Sequence, residues 1–414
     1  LQLLVLTELW PHPAHSTRAA NVVLFELLRA LAALPGIRVS CLRVFRGKET
    51  PPDAAEQHGI ALLRDAGITL CPPLVLPPPP RRRSVVARLL APNERDQLPE
   101  AIYRPLLEQA VTQAGADAIF IPWSEFLTAL AAPLPQKKFA YYGNPLPKNR
   151  IAARDFARRH GGTDLTMLRQ QIYDRRLESI HLDQMARYDW LGDVAANDAE
   201  YYVEHGHRNA FYIRNIWIER DGIRAEPSPI RGKAVIIGNV GRLSATANSH
   251  GLEILGRDFV PALRKLLPSG SFEIHLIGAG EPHPAIRGLL AQPEIKIRGF
   301  VDDIDREIAE AALFLCLNNA SIYKVGHTRY LHAFSLAAPV LAHADAALSM
   351  PEIRHGENAL LGGSIAEVAA LAAEAIGDAS LRRHIGDAGY ETFKDVFTAD
   401  KVAPTIGEHL LRAA

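Results

Sequence analysis

Residues 313–343 read LFLCLNNASIYKVGHTRYLHAFSLAAPVLAH. They open on an unbroken apolar run, Leu313 to Leu317, and close on another, Val340 to Ala342, followed by His343. Unbroken runs of this length fit strands buried on both faces, as in a parallel sheet. Between them a polar loop leads to Gly326, and apolar side chains then recur at helical spacing over 327–337 until Pro339 stops the helix. Strand, helix and returning strand make the repeating unit of a doubly wound α/β sheet.

The same unit recurs on either side. Strands are expected at Ala234–Val240, Phe272–Ile277 and Ile295–Arg298, with helices over 251–267, 284–291, 303–311, 365–376 and 380–395. The amino-terminal half opens the same way. Leu3 to Leu6 reads as a strand, Ser16 and Thr17 are placed to cap a helix running to Leu34, and Ile37 to Phe45 is the next strand. Residues 46–117 are less regular. Further strands follow at Ala118–Ile121, Phe139–Tyr142, Leu191–Ala195 and Phe211–Ile213, interrupted by a helical insertion over 151–188. Two prolines, a glycine and several charges between Arg224 and Gly232 mark a linker. The expected architecture is therefore two facing, Rossmann-like, doubly wound parallel-sheet domains. The first spans 1–223, the linker 224–233 and the second domain 234–395, with a helix over 396–414 packing back on the first domain.

A chain of 414 residues is long for one core, which agrees with two domains. Its 46 basic and 46 acidic side chains balance, which argues against a dedicated nucleic-acid binder. Cys41, Cys71 and Cys316 lie too far apart in sequence for a metal motif or a disulfide framework. No apolar run approaches the roughly 18 residues of a membrane span. Leu1 to Leu6 has no basic leader, so no signal peptide is expected, and a cytoplasmic location is. The run Arg81-Arg82-Arg83 follows four prolines and offers a basic face for peripheral contact with the inner membrane face; a solvated charge cluster is the alternative.

Three stretches carry chemistry. Gly238 to Leu243 (GNVGRL) ends the first strand of the second half, where Gly241 permits close approach of a ligand and Arg242 offers a cation to a phosphate. Gly278 and Gly280 follow the next strand and can form a turn whose amides face a phosphate or ribose. Position 283 is His where a dinucleotide fingerprint needs glycine, so that fingerprint fails. In the third stretch Gly326 precedes His327 and Thr328, where a helix should begin, and helix amides there form an anion site. Lys324 and Arg329 add positive charge, and His332 lies one turn beyond Thr328 on the same face, within reach of a ribose or sugar. The alternative is an amphipathic helix with a solvated polar face.

In order, these stretches resemble the carboxyl-terminal domain of GT-B glycosyltransferases of glycosyltransferase group 1, the family 4-like class. Gly241-Arg242-Leu243 is similar to the family's GRL, and Leu276 to Gly280 (LIGAG) to its L-x-G-x-G. Ile297 to Asp302 (IRGFVD), Ala337-Ala-Pro339-Val340 and Pro351 to Asn358 (PEIRHGEN) match later family segments. Three features depart from the pattern. The family's lysine after the arginine is absent from Asn248-Ser-His250-Gly251, so His250 would stand in for it. Its paired glutamates fall on Lys324 and His332, and its first-loop glycine pair on Ser16-Thr17.

The resemblance implies a transferase for sugars. It implies a nucleotide-diphosphate sugar of UDP or GDP type as co-substrate, with no other cofactor and no metal. The donor would be held by Gly241, Arg242, His250, Gly278, Gly280, Lys324, Gly326, His327, Thr328, Arg329 and His332. A glycan, lipid-linked or small-molecule acceptor would face the first domain, with retention of configuration and a place in polysaccharide biosynthesis. His15 and Asn144 are the catalytic candidates on that side, beside the Ser16 and Thr17 loop. A nucleotide-sugar epimerase of the same architecture and a catalytically degenerate partner protein are the alternatives.

Overall fold

The computed structural model describes residues 1–14, 19–78, 100–161, 164–220, 222–322 and 324–412. Two parallel sheets organise it. The first runs in the order β3-β2-β1-β5-β6-β7-β8, with β4 also paired to β2. Its strands are β1 (Gln2–Thr7), β2 (Arg38–Arg46), β3 (Thr69–Leu70), β4 (Leu74–Leu76), β5 (Ala118–Pro122), β6 (Lys137–Tyr142), β7 (Trp190–Asp193) and β8 (Ala210–Tyr212). The second runs β11-β10-β9-β12-β13-β14, built from Ala234–Val240 (β9), Phe272–Ile277 (β10), Ile295–Gly299 (β11), Leu313–Cys316 (β12), Val340–His343 (β13) and Leu360–Gly362 (β14). Leu3 to Leu6 and Leu313 to Cys316 are buried, as central parallel strands covered by helices on both faces must be.

Several helices differ from the sequence expectation. The helix expected at 251–267 starts earlier, at Thr246, and passes through a π-helical turn at Leu255–Phe259 before ending at Arg264. The segment expected as a helix at 284–291 is a 3-10 turn followed by a single short turn. Two helices lie in the stretch that reads as irregular. Ala54–Asp65 is started by a capping box, in which Asp53 accepts from the Glu56 amide and Glu56 reaches back to the Asp53 amide. Glu100–Gln113 carries Pro105 in its interior, which hides it from a pattern search. The insertion is a pair of helices, Leu146–Arg159 and Asp164–Met185.

One apolar core runs through both halves, taking in Leu3, Phe139 and Ile213 together with Trp217, Phe314, Phe334 and Leu410. The connecting segment after β8 is pinned along its length. The Trp217 amide donates to the Phe397 carbonyl (3.1 Å) and the Ala225 amide to the Leu336 carbonyl (2.7 Å). The buried Arg382 guanidinium donates to the Ser228 carbonyl and to Ala375 at the end of the helix Ile365–Gly377. The helix Ala399–Arg412 lies against Ala19–Ala32, and His409 stacks on Phe211 at 4.2 Å. A cavity of about 810 Å³ lies beside the linker, lined by Arg224, Arg231, Lys233, Arg306 and Arg382 among others. It opens at the amino ends of β9 and β12, away from the edges where open α/β sheets hold ligands. Among the described residues no helix is long and apolar enough to cross a membrane.

Candidate active site

The carboxyl edges of the two sheets face each other. The helix Leu146–Arg159, which follows β6, packs on Thr246–Ile254, which follows β9. Each sheet reverses its strand order once, between β1 and β5 in the first and between β9 and β12 in the second. Ligands of such sheets bind outside the strand ends at these switch points.

At the β9/β12 switch point stands a polar cluster centred on Asn248. Its side-chain nitrogen donates to the Arg242 carbonyl (2.6 Å), and its oxygen accepts from Asn318 (3.1 Å) and from the Arg329 guanidinium. Arg329 is thus oriented by a neutral amide, and among the described residues no carboxylate forms an ion pair with it. The helix carrying Arg329 begins at Thr328, as the sequence reading places it, and its cap residue His327 makes no side-chain bond to the first amides. Uncapped amides at a helix start attract anions. His327 itself is buried, and desolvation followed by the Arg329 charge pushes its pKa well below the usual histidine value, so it stays neutral. Arg242 is exposed at the same edge. The loops after β9 and β10 are tied together: Gly241 donates to Ile277 and Leu243 to Ala279. Gly278, at φ +143°, passes so close to Gly241 that an added Cβ would lie 1.9 Å from its carbonyl oxygen. Gly278 therefore has a packing role, and Gly280 follows it at φ +83°.

Three expected donor ligands are occupied elsewhere. His250 bonds the Arg159 guanidinium through Nδ1 (2.8 Å) and the Ala152 carbonyl through Nε2 (3.0 Å), both from the first domain. Burial lowers its pKa. Lys324 pairs with Asp345 at 2.6 Å, while its carbonyl accepts from Asn197. His332 does not turn toward the Thr328 edge; it bonds Asp305 (2.5 Å), with its ring 5.1 Å from that of Trp217 in the connecting segment. Gly326 is pressed on the first domain, where an added Cβ would sit 2.3 Å from the Val194 carbonyl oxygen.

On the first domain, Asn144 stands just past β6 at φ +83° and donates to Asn149 at 3.2 Å. Behind it Asp198 accepts from Lys148, and burial raises its pKa to about 6; Asp193, fully buried beside it, is raised further by burial and by Asp198. This pair braces the 193–198 loop against which Gly326 rests. His15, Ser16, Thr17 and Arg81–Arg83 lie outside the described residues. Asn248 and Asn318 escape a sequence reading, because they meet only when β9 and β12 become neighbours. Among the described residues no three His, Cys, Asp or Glu side chains converge as metal ligands.

Residues 234–378 match the family model described as Glycosyl transferases group 1. No curated protein sequence matches the chain. Among solved structures, the chain is similar to HepE of Anabaena in complex with UDP and glucose, at TM-score 0.59 and 17% identity over 99% of this chain and 98% of that one. A glycosyltransferase of Rickettsia africae follows at TM-score 0.56 and 12% identity, over 98% and 97% of the two chains. The lipopolysaccharide outer core galactosyltransferase WaaB, in its apo form, gives TM-score 0.58 and 12% identity over all of both chains. The fold is the GT-B fold of these glycosyltransferases, and residues 234–378 carry the match to the glycosyltransferase group 1 model.

Proposed function

We propose that this protein is a glycosyltransferase that takes a sugar from a nucleoside-diphosphate sugar of the UDP or GDP type, held at the carboxyl edge of the second sheet. The sugar passes to a glycan, lipid-linked or small-molecule acceptor held by the first. The observation that carries the reading is Arg329, aimed by Asn248 at the start of an uncapped helix and paired with no carboxylate among the described residues. As the bond between the anomeric carbon and the diphosphate oxygen breaks, negative charge grows on the leaving diphosphate. Arg329, Arg242 and the amides at Thr328 and Arg329 stabilise that charge, which is the role an oriented cation and helix amides perform best. The acceptor oxygen forms the new bond to the anomeric carbon and passes its proton to the leaving diphosphate oxygen, with the configuration retained. The UDP and glucose in the Anabaena structure favour a UDP sugar.

In this account the protein side chains supply the charge that a bound divalent ion would otherwise supply. Release of UDP or GDP from a panel of UDP- and GDP-hexoses is expected to persist in excess EDTA. Complete loss in EDTA, restored by Mg²⁺ or Mn²⁺, would contradict the metal-free reading. Conversion of the donor into an epimer with no acceptor present would contradict transfer.

A further inference from the structure

We propose that the β1/β5 switch point of the first sheet is a sugar-ring subsite for the acceptor, built from Trp123, Glu8 and Ser124. The inference deepens the reading above and rests on it, since it names a carbohydrate as the acceptor class. Trp123 follows β5 directly and holds φ +47°, a left-handed conformation that a bulky residue rarely adopts. Such strain persists only where the surroundings enforce it, and it gathers at ligand sites. Here the Trp123 amide still donates to the Tyr141 carbonyl (2.9 Å), and the indole packs on the Tyr141 ring at 4.9 Å. The indole stays partly exposed, and its N–H makes no hydrogen bond among the described residues. A tryptophan with an apolar body and a free donor suits a surface that is apolar at one end and wet at the other. A sugar ring has that character, with C–H faces for the indole and hydroxyls at its rim.

Polar partners stand across the switch point. Glu8 follows β1, accepts from the Ser124 hydroxyl through Oε2 (2.6 Å) and pairs with Arg46 through Oε1 (3.0 Å). The remaining lone pairs of its carboxyl oxygens can accept from sugar hydroxyls. Ser124 is itself fixed, because it also caps the next helix by accepting from the Leu127 amide (3.1 Å). Asn144, past the neighbouring strand β6, is also left-handed, so two non-glycine residues at adjacent strand ends share this conformation.

Saturation-transfer NMR with the methyl glycosides of glucose, galactose and mannose, on the full chain with UDP present, tests this. At least one glycoside is expected to bind. Trp123→Ala should weaken it about tenfold, as should Glu8→Gln, while Trp123→Phe keeps most of the affinity. UDP affinity, read in the same samples, should stay unchanged in all three. Should Trp123→Ala fail to fold, Glu8→Gln and Trp123→Phe carry the test. No binding of any glycoside, or binding indifferent to Trp123 and Glu8, overturns the subsite. Loss of UDP binding in the unmodified protein would instead overturn the donor reading on which it rests.

Discussion

Asn248 holds Arg329 through an oxygen that carries no formal charge. An aspartate there would give the guanidinium a fixed counter-ion and add a negative charge at the proposed diphosphate site. Neutrality is kept at the neighbouring position as well. His327 occupies the position before the helix without bonding its first amides, and a positive charge on it would have to be buried beside Arg329. Because its folded pKa is depressed, the unfolded chain binds the proton more readily. The stability due to neutral His327 is then fully present above about pH 6.5 and declines as the pH falls below it. Thermal unfolding followed from about pH 7.5 to about pH 5 should show that decline, and His327→Gln should flatten it. An unaltered slope in the variant would remove His327 as its source. Asp198 works in the opposite direction: its raised pKa favours the folded state as the pH falls through about 6. The comparison must therefore be made between the variant and its parent.

At the scale of elements, the two domains touch through strand-end loops and the helices that follow them. One of these contacts is Gly326, where an added Cβ would lie 2.3 Å from the Val194 carbonyl oxygen. Gly326→Ala should force the facing loops apart, at a cost of about 1–3 kcal/mol to the closed arrangement. Transfer should fall while the second domain still binds UDP; unchanged transfer would show that this contact has no part in turnover. The strands were legible because residues buried on both faces leave unbroken apolar runs, as in Leu3–Leu6 and Leu313–Leu317. The helix start at Thr328 was legible from the glycine before it and the apolar spacing after it. Ala54–Asp65 was not, since only Gly59 and Leu63 of its residues are buried and its start depends on a local Asp53–Glu56 exchange. His250 and His332 read as ligands because spacing gives a side chain a face but not a partner. Their partners, Arg159 and Asp305, come from 91 and 27 residues away.

At the scale of the molecule, the linker and the last helix bind the halves into one apolar core, in which Leu3 and Leu410 belong with Phe314 and Phe334. Gly407 in that last helix fits against Leu34 and Ile37, so the chain's final turns return to the first domain. The contacts of Arg159 with His250 and Glu253 fasten the facing edges from the other side. The carboxyl edges of the two sheets are thereby held opposite one another, an arrangement that in the proposed reaction excludes water from the sugar. The proposed transfer requires a nucleoside diphosphate to bind at Arg329. Calorimetric titration with UDP and GDP of the unmodified chain, Arg329→Ala and Asn248→Asp tests it most directly. One nucleotide is expected to bind the unmodified chain, with affinity lower by about 2 kcal/mol, roughly thirtyfold, in Arg329→Ala and a loss in the same direction in Asn248→Asp. Equal affinity in all three proteins would contradict the placement of the donor site.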